Sequence, residues 1–157
     1  MRTVTLALFI HAHERKILLA MKKRGFGEGK WNGYGGKLLP GETPEDGAIR
    51  EIQEESGITV EKKKLNHLGT IDFHFLDAPD WDQRGIIYRI DEWEGEPVET
   101  EEMSPRWFSF DDIPYGEMWI DDFHWFPHLL VGEKFTAMFE FEEKGAKISK
   151  QIVSVVP

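Results

Sequence analysis

The segment from Thr43 to Gly57 constrains the fold most strongly, because it contains the signals for both ends of a helix. Thr43 is a favourable N-cap residue, Pro44 suits the first helical position, and Asp46 follows Thr43 at the spacing of a capping box. Gly57 supplies a C-terminal stop. We therefore predict a helix over residues 44–56.

Strand patterns lie on both sides of this helix. Residues 4–10 are apolar at almost every position, which predicts a central strand that is buried on both faces. Residues 25–36 contain six glycines and are predicted to form a loop. Further strands are predicted at 16–21, 65–76, 85–90, 106–110, 135–141 and 148–155, and a second helix runs from Asp121 or Asp122 to Val131. The order of elements predicts one α/β domain over residues 1–157, a mixed sheet with helices packed on it.

Composition narrows the class of protein. The 157 residues include no cysteine, which excludes disulfides, thiolate metal sites and cysteine nucleophiles. The N-terminus has no signal-peptide pattern and no apolar run is long enough to span a bilayer, so we expect a soluble cytoplasmic protein. A formal net charge of −10 argues against binding to polymeric nucleic acid. An anionic small-molecule substrate would require divalent cations and a few local lysines.

Three carboxylates are predicted to share one face of the first helix. Glu54 and Glu55 follow Glu51 by three and four positions, so all three side chains project from the same side. A solvated acidic face is the ordinary explanation of such a pattern. The second explanation is a site for a hard cation such as Mg²⁺ or Mn²⁺, because these ions prefer oxygen ligands.

The segment 36–58 resembles the Nudix signature, Gly-x5-Glu-x7-Arg-Glu-U-x-Glu-Glu-x-Gly-U, in which U is a bulky aliphatic residue. Every fixed position matches, from Gly36 through Glu42 to the Arg50–Ile58 segment. The resemblance implies an α/β/α sandwich and metal-assisted hydrolysis of a nucleoside diphosphate linked to another group. It also implies that Arg50 and Glu42 orient the loop and the helix, and that the carboxylates of Glu51, Glu54 and Glu55 hold the ions and activate water. The implied catalytic residues are Arg50, Glu51, Glu54 and Glu55.

Segments outside this signature resemble the branch of the family that hydrolyses oxidised purine nucleoside triphosphates. The matching segments are 21–27, 31–37, 97–103, 107–108, 118–122 and 125–127. The resemblance implies Mg²⁺, with Mn²⁺ as a possible substitute, held by Glu51, Glu54, Glu55, Glu102 and the Gly35 carbonyl. It implies a monomer that converts substrates such as 8-oxo-dGTP or 2-hydroxy-dATP into the monophosphate and pyrophosphate. The implied substrate contacts are Thr5, Lys22, Phe26, Asn32, Tyr34, Gly35, Gly36, Lys37, Phe73, Trp119, Asp121 and Asp122.

Several alternatives remain open from the residues alone. The Asp121–Asp122 pair is typical of a helix N-cap, Trp119 is typical of a core, and Lys22-Lys23-Arg24 is typical of a solvated surface. The segment 77–84 departs from the family pattern, so Trp81, Gln83 or Arg84 could change which base fits. At the level of function, the rivals are a Nudix hydrolase of ADP-ribose or a dinucleoside polyphosphate, and a Nudix-fold ligand sensor without activity.

Overall fold

In the computed structural model, which describes residues 1–157, the chain forms nine strands and two helices. The strands are β1 (Arg2–His11), β2 (Lys16–Lys22), β3 (Trp31–Asn32), β4 (Tyr34–Lys37), β5 (Asn66–Phe75), β6 (Gln83–Ile90), β7 (Met103–Ser109), β8 (Phe135–Glu142) and β9 (Lys147–Val155). The helices are α1 (Pro44–Ser56) and α2 (Asp122–Val131).

The ends of α1 form as the sequence predicts. The Thr43 side chain accepts a hydrogen bond from the backbone N–H of Asp46 at 3.2 Å, which satisfies a donor that the first helical turn leaves free. At the other end Gly57 adopts a left-handed φ of 78°, and its N–H donates to the carbonyl of Gln53. The predicted helix over 44–56 is confirmed, and α2 likewise ends at Gly132.

All nine strands belong to one mixed sheet. Its order is β3-β2-β1-β6-β5-β8-β9, with β4 paired to β1 and β7 paired to β2. The pairs β1·β6 and β5·β8 are parallel, and the other pairs are antiparallel. Strand β1 is therefore central, as predicted, and β8 and β9 form the predicted hairpin.

The prediction of a loop over 25–36 is wrong for its second half. Trp31 and Asn32 pair with β2, while Gly35 and Gly36 pair with Leu6 and Thr5 of β1. Backbone hydrogen bonds to two neighbouring strands stabilise this segment, although its glycines have low intrinsic strand propensity. The loop proper thus ends before β3.

The two helices lie on opposite faces of the sheet. Along β1, Leu8 packs in a core that includes Trp125 of α2, and Phe9 packs in a second core that includes Ile52 of α1. Adjacent strand residues point to opposite faces, so one strand contributes to both cores. This arrangement is the predicted α/β/α sandwich. No helix has the length and apolar character that crossing a membrane requires.

Candidate active site

The close approach of β4 to α1 creates the acidic end of the site. A Cβ atom placed on Gly36 would lie only 2.9 Å from the carboxylate carbon of Glu51. A residue with a side chain at this position would displace the Glu51 carboxylate, so glycine allows this carboxylate to lie against the strand. Gly36 and Glu51 are far apart in the sequence, but they lie close together in the fold.

Arg50 connects the carboxylates around the start of α1. Its guanidinium donates to both oxygens of Glu42 at 2.8 and 2.9 Å, to Glu51 at 2.9 Å and to Glu54 at 3.2 Å. It also donates to the carbonyl of Lys37 at 3.2 Å, which ties the helix to the end of β4. This geometry agrees with the orienting role expected for Arg50 and Glu42, because five fixed donors can align several acceptors at once.

Glu55 is the buried member of the acidic set. Only 5% of the residue is exposed, and its carboxylate accepts a hydrogen bond from the backbone N–H of Gly35 at 3.0 Å. Burial, with the nearby Glu51 carboxylate, raises the pKa of Glu55 to about 7. Burial also raises the pKa of Glu51, although Arg50 opposes this shift. A desolvated negative charge of this kind is stabilised by a cation placed beside it.

Lys22 is the protein cation nearest to Glu55. Its Nζ lies 3.2 Å from a Glu102 oxygen and 3.9 Å from a Glu55 oxygen. Of the other two members of the basic triplet, Lys23 pairs with Glu99. Arg24 pairs with Glu101 and with Glu102, the carboxylate that Lys22 also contacts. Of this triplet only Lys22 lines the cavity described below.

The expected metal ligands are brought to one region and are paired with basic side chains. Glu51 and Glu54 contact Arg50, whereas Glu55 and Glu102 contact Lys22. No three acidic or histidine side chains converge on a common point at metal-binding distance. The ligand assignment therefore stays a prediction, which the desolvated charge of Glu55 and the oxygen-only donor set support.

A cavity of about 490 Å³ begins at this acidic end. Leu6, Gly35, Gly36, Lys37 and Glu55 line it on one side. At its far end the lining comes from the α2 side of the sheet and from the segment that precedes α2: Phe73, Phe75, Phe141, Trp119, Asp121, Asp122 and Trp125. One space therefore joins the acidic side of α1 to an aromatic and acidic pocket, and its volume is typical of ligand sites.

Asp121 and Asp122 lie in this pocket and do not cap α2. The two residues are only 2% and 3% exposed, and Asp121, which precedes the helix, makes no side-chain capping bond. Asp121 instead accepts a hydrogen bond from the indole N–H of Trp125 at 2.8 Å. One carboxylate oxygen of Asp122 is buried with no hydrogen-bond partner. The N-cap explanation of the pair is therefore wrong.

Burial also shifts the ionisation of these two aspartates. Desolvation raises the pKa of Asp121 to about 6, against the opposing effect of the Trp125 hydrogen bond. Desolvation and the charge of Asp121 raise the pKa of Asp122 well above its ordinary value. The adjacent pair can then hold one proton and present both a donor and an acceptor to a ligand.

The aromatic walls predicted from the sequence are present. Trp119 is partly buried, lines the cavity and stacks on Phe26 with ring centroids 5.1 Å apart and an interplanar angle of 27°. The Nζ of Lys30 lies 5.2 Å from the centroid of the Trp119 ring. Phe73 lines the same cavity and stacks on Phe141 at 6.2 Å. Trp119 thus contacts the core and also lines the cavity, and its role as a stacking platform stays a prediction.

The remaining predicted contacts divide into two groups. Thr5 and Asn32 line the cavity, and the Thr5 hydroxyl is buried without a partner while Asn32 accepts from the N–H of Gly33 at 2.8 Å. Tyr34 is 0% exposed, belongs to the core beneath α1 and does not line the cavity. The prediction of a substrate contact by the Tyr34 side chain is therefore wrong, because alternation along β4 turns this side chain to the opposite face of the sheet.

Several lining residues were missed by the sequence argument. Arg2 and Val4 of β1 lie beside Gln83 and Gly85 of β6 and form part of the cavity floor. The alternation along β1 indicates that Val4 and Leu6 point to the same face. The sequence does not show that β1 pairs in parallel with β6, and this pairing brings Gln83 and Gly85 to the cavity. In the divergent rim, Trp81 and Gln83 line the cavity, whereas Arg84 pairs with Asp72 at 2.7 Å.

Comparison with known proteins places this geometry in a family. The family model described as the NUDIX domain matches residues 1–129. The chain is 44% identical over 154 residues to the oxidized purine nucleoside triphosphate hydrolase of Mus musculus, covering 98% of this chain and 96% of that protein. It is 47% identical over 137 residues to the protein of the same name from Danio rerio, covering 87% and 86%.

Structural comparison agrees at the level of the fold. A crystal structure of the MutT protein from Bacillus halodurans superposes with a TM-score of 0.84 over 98% of each chain, at 23% identity. The family model covers most of the chain, and the mouse relative is aligned over nearly all of it. The chain therefore belongs to the NUDIX family of hydrolases.

Proposed function

We propose that this protein is a Mg²⁺-dependent diphosphatase that acts on oxidised purine nucleoside triphosphates. In this reaction water adds to phosphorus, the anhydride bond between the α- and β-phosphates breaks, and the products are a nucleoside monophosphate and pyrophosphate. The proposed substrates are of the 8-oxo-dGTP and 2-hydroxy-dATP type, whose removal protects the nucleotide pool. The relatives named above, which carry the name oxidized purine nucleoside triphosphate hydrolase, support this substrate class.

One observation carries the proposal: a single cavity runs from Glu55 to the buried Asp121–Asp122 pair. A nucleoside triphosphate has the same two-ended character, with an anionic chain at one end and a planar base with hydrogen-bonding edges at the other. The acidic end suits phosphates accompanied by cations, and the aromatic end suits a base. The nucleotide would therefore lie with its phosphates beside Glu55 and its base beside Asp121 and Asp122.

The base end can recognise a purine by stacking and by hydrogen bonds. Stacking of a base on an aromatic face such as Trp119 is worth about 1–3 kcal/mol. Asp122 has an unpaired buried oxygen, and Asn32 lies on the wall of the same cavity. Oxidation of a purine changes the pattern of donors and acceptors on its edge. A carboxylate pair that shares a proton can match such an altered edge.

The phosphate end combines carboxylates with a few basic groups. Lys22 and Lys37 line the cavity and are placed to offset phosphate charge. Thr5 lines the same cavity, and its buried hydroxyl has no hydrogen-bond partner within the protein. These contacts position the anhydride bond beside the acidic face of α1.

Magnesium is part of the proposal because the donor set suits it. Glu51, Glu54, Glu55, Glu102 and the carbonyl of Gly35 would hold the ions. When bound, Mg²⁺ polarises phosphoryl oxygens and offsets the negative charge that the substrate adds. The protein's own part is to keep Glu55 buried, through the Gly35 hydrogen bond, and to align Glu51 and Glu54, through Arg50.

The net charge of −10 supports a small-molecule substrate and argues against binding of polymeric nucleic acid. We propose that the protein acts as a monomer in the cytoplasm, where nucleotide pools require such an activity. All signature carboxylates are retained, which favours an enzyme over a ligand sensor without activity.

The proposal is tested by kcat/KM with Mg²⁺ for 8-oxo-dGTP, 2-hydroxy-dATP, O6-methyl-dGTP, dGTP, dATP and ADP-ribose, with pyrophosphate release measured. We expect a preference for one or more modified purines. In Asp121→Asn and Asp122→Asn variants we expect the ranking of substrates to change. A preference for ADP-ribose, or equal rates for oxidised and normal purines, would refute the proposed substrate class and leave the family chemistry in place.

A further inference from the structure

The rim residue Trp81 is built into the aromatic end of the cavity. It closes a short 3₁₀ turn, Pro79–Trp81, between β5 and β6, and its partly buried indole lines the cavity. The indole makes edge contacts with Phe26, at 5.1 Å and 83°, and with Phe75, at 5.5 Å and 76°. Trp81 is therefore a wall of the pocket rather than a solvent-exposed loop residue.

Two phenylalanines connect Trp81 to the stacking platform. Phe26 and Phe75 each contact Trp81, and each also contacts Trp119, at 5.1 and 6.2 Å. Phe26 stacks on Trp119, so its ring borders the space in which a base could lie against this indole. The position of Phe26 then decides how large that base can be.

Regular secondary structure does not hold Phe26 in place. It is 48% exposed and lies between Gly25 and Gly27, which adopt φ of 81° and 85°. Turn hydrogen bonds, such as that from the N–H of Glu28 to the carbonyl of Gly25 at 3.1 Å, hold the backbone here. The direction of the half-exposed Phe26 ring therefore depends on its side-chain neighbours. Trp81 contacts Phe26 from the side of the rim, and a change at Trp81 would release that constraint.

The turn that carries Trp81 is anchored at both ends. The Asp82 carboxylate accepts a hydrogen bond from the N–H of Phe75 at 2.8 Å and lies 3.2 Å from Nδ1 of His74. On the other side, Arg2 donates to the carbonyl of Asp80 at 2.6 Å. These contacts hold the indole on a fixed support, which a wall that discriminates by size requires.

We propose that Trp81 is a specificity-determining residue that sets an upper limit on the size of the base. By holding Phe26 beside Trp119, it admits planar purines with oxo, hydroxy or methyl substituents and excludes purines with bulky ones such as benzyl. This inference rests on the proposed function, because it assumes that a purine occupies the aromatic end of the cavity.

The test compares two nucleotides that differ only in bulk, O6-benzyl-dGTP and dGTP. In Trp81→Ala we expect the ratio of their kcat/KM values, benzylated over plain, to rise by at least about 10-fold, since filling or emptying a pocket changes discrimination by this order. In Trp81→Phe, which keeps an aromatic ring, we expect a smaller rise. An unchanged ratio in both variants, including a parallel loss for both nucleotides, overturns the proposal.

Trp93→Ala is the matched control. Trp93 is also partly buried and makes an edge contact with Phe9 at 5.2 Å, but it packs on the core beneath α1 and does not line the cavity. We expect a loss of stability without a change in the ratio. If Trp81→Ala fails to fold, Trp81→Phe decides the question by itself.

The outcome is separable from that of the proposed function. The benzyl comparison does not depend on a preference for oxidised bases, which the wild-type substrate panel measures. A wild-type enzyme that prefers oxidised purines together with an invariant benzyl ratio removes only the role of Trp81. The reverse result removes the oxidised-purine proposal and retains Trp81 as a size limit.

Discussion

At the residue scale, the carboxylates of the site show how surroundings set ionisation. Glu42 receives two hydrogen bonds from Arg50 and one from the N–H of Leu39, and these lower its pKa to about 2. Asp122 is buried, has one oxygen without a partner, and lies next to Asp121, so its pKa is raised. Carboxyl groups of one molecule are thus held charged where a guanidinium binds them, as at Glu42, and driven toward the neutral form where they are buried, as at Asp122.

The buried aspartates predict a pH-dependent stability. A carboxyl whose pKa is higher in the folded than in the unfolded chain binds its proton more tightly when folded. Its contribution to the free energy of unfolding is therefore present at low pH and is lost as pH rises from about 4 through its folded pKa, which is about 6 for Asp121. Asp122→Asn removes a carboxyl whose ionisation in the folded protein is opposed by burial and by the charge of Asp121. We expect it to be more stable than the wild type by about 1–2 kcal/mol at pH 8 and by less at pH 4.

Urea unfolding at pH 4, 6 and 8 measures this difference. Asp111→Asn is the control, because the Asp111 side chain is 82% exposed. We expect the difference between Asp111→Asn and the wild type to be nearly independent of pH. A difference for Asp122→Asn that does not grow with pH contradicts the assigned ionisation.

At the element scale, α1 serves both the core and the active site. Ile52 is fully buried beneath the sheet, whereas Glu51 and Glu55 lie on the side of the helix that meets β4. The helical period separates the two functions, because residues one position apart point in different directions. The helix can therefore lose a site carboxylate without losing its packing.

This separation predicts the effect of Glu54→Gln and Glu55→Gln. Each change keeps the shape of the side chain and removes its charge. We expect kcat to fall by at least about 100-fold, as loss of a catalytic acid–base or metal-binding group does, while the melting temperature changes little. The Glu55 variant should be the more stable of the two, since it removes a charge that burial disfavours.

Glu45→Gln, in the first turn of the same helix, is the control for this pair. Its side chain meets only the Tyr88 hydroxyl, at 3.5 Å, and we expect nearly wild-type kcat. Substantial turnover by both Glu54→Gln and Glu55→Gln would mean that these carboxylates do not form the metal site.

At the scale of the whole molecule, the sheet ends in an exposed edge. Strand β9 pairs only with β8, and its residues Ile152 and Val155 are 52% and 47% exposed. Such an edge can pair with another copy of the chain unless charges prevent it. Lys147 and Lys150 lie on β9, and we expect their charges to oppose such pairing.

Lys150→Val is therefore expected to promote self-association. Light scattering during size-exclusion chromatography should show a concentration-dependent increase in mass relative to the wild type. Lys63→Val, at a lysine whose side chain is 76% exposed and which lies in a short 3₁₀ turn outside the strands, is the control. Equal mass for both variants at every concentration would show that this lysine does not protect the edge.

The limits of prediction at each scale have a common cause. Helix α1, the central position of β1 and the final hairpin followed from local patterns, because caps, glycine stops and alternation act over a few residues. The short strands β3 and β4 were missed, since their hydrogen bonds come from β1 and β2 rather than from their own propensity. Tyr34 was misplaced for the same reason, because the face to which it points depends on how β4 pairs.

The sequence by itself determined the acidic face of α1, through the spacing of its glutamates, and the family, through the match to the signature. The resemblance then implied 12 of the 25 residues that line the cavity. Only the tertiary structure decided that Asp121 and Asp122 are buried without capping α2, and that Trp81 reaches Phe26 across 55 positions of sequence. The physical reason is that burial and long-range contact depend on which segments the sheet brings together, and strand pairing is not encoded in any short stretch of residues.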